Sequence, residues 1–160
     1  MSSEVPYYSG ITGYRLKIPD AKTTAPEVYE FVNRGSVFAF HDGRAIIGQQ
    51  LGDGSLTIST WMRAPEAPIP KSLSSDYSSA ISSSKGANPS KSVILKDYAD
   101  FHPKLKDFIE KADPDSITPL NLYILPVGFS WEHTRGFTLL GDAAHLMTPF
   151  AGEGLSLIHI

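Results

Sequence analysis

Cysteine is absent from this 160-residue chain, which excludes disulfides and thiolate metal sites. No run approaches the roughly 20 apolar residues that a membrane-spanning helix needs. Charge is sparse and nearly balanced: 19% charged residues and a formal net charge of −3 supply no electrostatic case for nucleic acid or an anionic membrane surface. The opening Met1-Ser2-Ser3-Glu4 lacks the basic-then-apolar order of a secretory signal, and with no cysteine the expectation is a cytoplasmic location. No internal repeat is visible. No Gly-x-Gly-x-x-Gly phosphate loop is present either, since Gly52-Asp53-Gly54 lies between two strand-like runs and reads as a hairpin turn. What remains, at 41% hydrophobic residues, is the composition of a globular domain with a core.

The first half of the chain carries strand signals. Tyr14, Leu16 and Ile18 alternate with Arg15 and Lys17, as on a half-buried sheet face. Thr24-Ala25-Pro26-Glu27 has the form of a capping box with proline early in the helix, predicting a short helix to about Gly35 with Val28, Phe31 and Val32 inward. Ser36 to His41 and Arg44 to Leu51 flank Asp42-Gly43, a strong hairpin signal, and a third strand runs from Ser55 to Arg63. Three antiparallel strands of this kind form a wall. Ser72 to Ser92 is serine-rich, and its weak apolar spacing allows a surface helix followed by a loop, with a disordered linker as the alternative. Val93, Ile94 and Tyr98 precede His102-Pro103, after which Leu105, Phe108 and Ile109 share one face of an amphipathic helix. Ala112-Asp113-Pro114-Asp115 is a helix-exit turn and not a catalytic carboxylate pair. Thr118 to Val127 reads as a further strand.

The last third holds the chemistry. Phe137 to Leu140 is a short apolar run, predicting a buried strand, and Gly141-Asp142 ends it before two alanines that favour a helical turn. A carboxylate so placed can accept hydrogen bonds from sugar hydroxyls, and nearby glycines let a ligand approach the backbone. Taken alone, the Gly-Asp pair is read more simply, with Asp142 capping the turn that begins at Ala143. The whole string says more. Gly141-Asp142-Ala143-Ala144-His145, then Pro149, then Gly152-Glu153-Gly154, resembles the second flavin-contacting motif of the FAD-dependent aromatic-ring (group A) flavoprotein monooxygenases. Within them the fuller run Leu139 to Gly154 is most similar to the tetracycline-inactivating branch and its fungal relatives.

The resemblance implies an α+β fold: an antiparallel-rich sheet with flanking helices as substrate-binding domain over residues 1–135, then a strand-turn piece of a Rossmann-like FAD-binding domain over 136–154. It implies that an N-terminal Rossmann half with Gly-x-Gly-x-x-Gly belongs to the whole enzyme, and this half is not in the sequence. FAD is the implied cofactor and NAD(P)H the co-substrate, with dioxygen inserted into an aromatic or polyketide-like small molecule. Such enzymes need a cradle, not a catalytic triad, so no catalytic side chain is expected. By resemblance, Asp142 would bond the ribityl or pyrophosphate region, Gly141 would give it room, Pro149 would lie against the flavin ring, and backbone from Ala151 through Gly152 and Glu153 to Gly154 would approach its pyrimidine end. His145 is expected to be structural, and His41, His102 and His133, with no metal-ligand spacing, to be surface or satisfied residues. The wall's pocket is expected from Val37–Ala39, Ile46–Gln49, Thr57–Trp61 and Tyr123–Leu125, with one face of each strand given to the core. Residues Leu155-Ser156-Leu157-Ile158-His159-Ile160 match the in-frame translation of a transposon-end sequencing adapter, so native sequence is expected to end at or near Gly154. Two alternatives stay open: another flavoprotein of the superfamily, a reductase or epoxidase, or a small binding protein without cofactor.

Overall fold

A computed structural model describes residues 4–66, 90–132 and 134–151. Five strands form one antiparallel sheet in the order β2-β3-β4-β1-β5, with β1 Tyr7–Ile18, β2 Ser36–His41, β3 Arg44–Gln50, β4 Leu56–Arg63 and β5 Thr118–Ile124. The expected wall is present, and β1 and β5 widen it. Helices α1 Ala21–Thr24 and α2 Pro26–Val32 link β1 to β2, while α3 Lys91–Asp97 and α4 Pro103–Glu110 lie between β4 and β5. No helix among the described residues is long and apolar enough to cross a membrane. The serine-rich segment's expected helix and loop lie, over residues 67–89, outside the described residues.

Turn chemistry explains the strand pairing. His41 pairs with Arg44 across Asp42 and Gly43, both at positive φ (46° and 68°), the backbone that matches the right-handed twist of a tight hairpin. At the next turn, Asp53 accepts hydrogen bonds from the Ser55 amide and hydroxyl, at 2.9 and 2.6 Å. Alternation then sorts the side chains. Leu16, Ile18, Ile46, Leu56 and Ile58 turn to one sheet face and form the core with Val28, Val32, Ile94, Tyr98, Phe108 and Ile109 from the helices. Phe108 and Ile109 are fully buried on α4, as their spacing predicts.

Three local expectations change. Thr24 does not cap α2: its hydroxyl donates back to the carbonyls of Pro19 and Asp20, at 2.9 and 3.1 Å, and Ala25 stands at the N-cap position without a side-chain bond. The nearer acceptors win, because α1 brings them within one turn. Phe31 is partly exposed and meets the Phe108 ring, centroids 6.0 Å apart; α2 ends at Val32, capped by Asn33 in left-handed backbone, before Gly35. Residues 137–140 form no strand, and Phe137 and Leu140 are 77% and 66% exposed. No described strand pairs with them, and an unpaired segment gains nothing from β geometry. The turn at Asp113 is as expected: its carboxylate accepts from the Asp115 amide at 2.9 Å and opens the short 3-10 turn Pro114–Ser116.

Candidate functional site: an aromatic cleft on the free face of the sheet

The sheet face turned away from the helices is not polar. Register places Phe38 beside Ile47 and Ser59, and Phe40 beside Ala45 and Trp61. Phe38 and Phe40 are 62% and 64% exposed. Large apolar side chains standing on one exposed face are the usual mark of a surface that receives something.

A cleft of about 440 Å³ opens at this face, with Ile11, Phe40, Ala45, Trp61, Met62 and Phe150 among its lining residues. That volume falls within the usual span of small-molecule sites, about 300–1,000 Å³. Trp61 and Phe150 meet edge to face, ring centroids 6.0 Å apart and planes at 89°. Phe150 belongs to the 3-10 turn Pro149–Ala151, so the Gly-Asp segment reaches back onto the sheet. A second tie runs from the Leu125 amide, just past β5, to the carbonyl of Leu146 at 3.0 Å.

The Gly-Asp segment itself forms α5, Asp142–His145, one short turn of helix. Gly141 precedes it at φ 57°, ψ −138°, backbone that only glycine enters cheaply. Asp142 opens the helix exposed, and no side-chain bond caps this end, so the capping role that the Gly-Asp pair alone suggests is not what its carboxylate performs. Pro149 and Phe150 are exposed, while Gly152, Glu153 and Gly154 lie outside the described residues. His145 is partly buried and its Nδ1 has no hydrogen-bond partner. Of the other histidines, His41 Nε2 lies 3.1 Å from Asp100 and His102 Nδ1 accepts from the Lys104 amide; His133 lies outside the described residues.

Charge gathers at the hairpin end of the cleft. Arg44 donates to both oxygens of Asp100, at 2.9 and 2.6 Å, and to the carbonyl of Asp97, and stands 3.5 Å from Asp42. Its guanidinium, through those hydrogen bonds first and its charge second, holds the Asp100 carboxyl below its ordinary range. A carboxyl depressed in the folded state adds stability above its unfolded value, about 3.9, and loses it as pH falls through the folded value. Asp100→Asn is therefore expected to lower the melting temperature near neutrality and to flatten its decline below about pH 4. Parallel melting curves for both proteins across that window would remove the pair from the pH dependence.

Of the residues expected in the pocket, Trp61 lines this cleft. Val37, Ala39, Ile46, Ile58 and Thr60 face the helices, and Phe38, Ile47 and Ser59 continue the free face away from the cleft. Tyr123 bonds Glu66 through its hydroxyl and meets Tyr8 edge-on at 6.2 Å. Phe40 and Ala45 had no separate sequence signal, since both faces of β2 and β3 alternate apolar residues, and Ile11 on β1 lies before the alternating run that begins at Tyr14.

No protein-family model matches the chain. Over 98% of its length it is similar, at 24% identity, to the monooxygenase penA of Penicillium thymicola. Over 95% it is similar, at 25% identity, to the monooxygenase asqM of Emericella nidulans. The chain spans about two fifths of these curated relatives, 42% and 40% of their lengths. Among solved structures, Klebsiella pneumoniae HpxO complexed with FAD and uric acid shares the fold at a TM-score of 0.63 and 17% identity, over 95% of this chain and 33% of that one.

Proposed function

We propose that the chain, similar to two fungal monooxygenases, is part of an FAD-dependent monooxygenase and carries the substrate-binding sheet and the second flavin-contacting segment of an enzyme that hydroxylates an aromatic or polyketide-like small molecule. One observation carries this reading. The turn after the Gly-Asp helix seats Phe150 against Trp61, so the segment with the flavin motif and the free face of the sheet border one cleft. Substrate bound there would lie between β4 and that segment.

The residues present fit a flavin. Asp142 offers an exposed carboxylate beside a glycine whose backbone admits close approach, and the exposed Phe137 and Leu140 leave apolar surface next to it. Asp142 would accept hydrogen bonds from ribityl hydroxyls, Gly141 would give them room, Pro149 would lie against the ring, and the backbone of Ala151, with Gly152, Glu153 and Gly154 beyond it, would face the pyrimidine end. Bound FAD, reduced by NAD(P)H, supplies the activation of dioxygen. The work of this chain is to bind, to orient and to keep water out. Ile11, Phe40, Ala45, Trp61 and Phe150 give the cleft apolar walls that take a planar ring and exclude solvent from it. Residues 1–135 form the substrate-binding region in this reading and 136–154 the flavin-contacting one.

The test uses a protein that carries this chain at the full length of its relatives. Asp142→Ala is expected to weaken FAD binding about tenfold or more, the worth of a charge-assisted hydrogen bond. Flavin content equal to that of the parent after purification would take Asp142 out of the site.

A further inference from the structure

Tyr98 lies behind the cleft, on the helical face of the sheet. It is fully buried, and its hydroxyl donates to the carbonyl oxygen of Trp61 at 3.0 Å. Burial pushes the hydroxyl pKa far up, so it remains a donor at any ordinary pH. The sheet is unusual at this point. The Tyr14 amide donates to the hydroxyl of Thr60 at 3.1 Å, a side chain taking a strand amide. Gly13, the register partner of Trp61, has no room for a side chain: a Cβ there would stand 1.7 Å from the Thr60 carbonyl oxygen and 3.0 Å from Cε3 of the Trp61 indole. Strands β1 and β4 are thus pressed together under the indole, and polar side chains take part in the bonding there.

From this arrangement we infer that Tyr98 is a positioning residue for the cleft: through the Trp61 carbonyl it holds β4 in place and so sets the aim of the indole toward Phe150 and a bound ring. The inference rests on reading the cleft as an aromatic-ligand site. The competing role is plain packing of Tyr98 in the core.

The chain has two tryptophans, so Trp131→Phe leaves Trp61 as the sole indole. In that background Tyr98→Phe removes the hydroxyl and keeps the ring. Ile109→Val serves as the control, since it trims the same core and leaves the Tyr98–Trp61 hydrogen bond in place. Two measurements are made: acrylamide quenching of Trp61 without ligand, and titration with 4-nitrophenol, a planar phenol that quenches indole emission. Tyr98→Phe is expected to make Trp61 emission more quenchable and to weaken 4-nitrophenol binding about fivefold, the worth of one neutral hydrogen bond. Ile109→Val is expected to lower the melting temperature while leaving both readouts at the parent value. Equal quenching in parent and Tyr98→Phe, or an equal change in Ile109→Val, would overturn the positioning role. If the parent fails to bind 4-nitrophenol, the reading of the cleft falls, and the ligand-free quenching still decides the role of Tyr98.

Discussion

Phe108→Ala is expected to cost the fold about 3–5 kcal/mol, the usual range for a buried Phe truncated to Ala. The ring is fully buried, and it occupies a hollow that a glycine makes: a Cβ on Gly48 would stand 2.8 Å from the ring's Cε1. β3 forms one wall of the hollow and α4 carries the ring into it, while Phe31 closes the side at 6.0 Å between centroids. A paired strand between two neighbours cannot move in to fill the void, so most of the cavity persists. With domain stabilities of about 5–15 kcal/mol, the variant should melt roughly 10 °C lower or more. Adding Gly48→Val should recover part of the loss by filling the same space, a non-additivity expected only of neighbours. Urea denaturation of the two single variants and the double variant measures this. A cost for Phe108→Ala below about 1 kcal/mol would mean that the site collapses freely.

Gly13→Ala tests the opposite fault, an atom too many. The added methyl would meet the Thr60 carbonyl, a backbone atom that cannot swing aside, so β1 and β4 must part in the middle of the sheet. Overpacking usually costs about 1–3 kcal/mol, and a backbone collision at 1.7 Å belongs at the top of that range or above it. Because Trp61 faces Gly13 across the ladder, the near-UV circular dichroism of its indole should change as well. A Gly13→Ala variant with the parent's unfolding midpoint and spectrum would show that the two strands stand farther apart.

Residues close together in sequence made much of the fold legible. Asp42-Gly43 specifies a two-residue turn through its own backbone preference, and the spacing of Leu105, Phe108 and Ile109 specifies an apolar helical face, whatever lies around them. The run from Gly141 to Pro149 carries its family resemblance in the order of its residues, with no need of a fold. Local rules failed where a side chain had two options at similar range. Thr24 is an example: its hydroxyl chose carbonyls behind it over amides ahead of it.

By itself, then, the sequence determined the hairpins, the strands of the five-stranded sheet, the inward face of α4 and the family resemblance of the run from Gly141 to Pro149, since each rests on contacts, preferences or residue order within a short stretch, whereas the strand expected at 137–140 had no partner to pair with. Only the tertiary structure decided which face of the sheet is the cleft. Val37, Ala39 and Ile46 are as apolar as Phe38, Phe40 and Ile47, so alternation separates two sets without saying which one the helices cover. It likewise decided that Phe150 closes on Trp61, and that Tyr98, 37 residues from Trp61, bonds its carbonyl from the other side. Those contacts exist because the sheet and its helical layer place distant residues within bonding range, and no local preference encodes them.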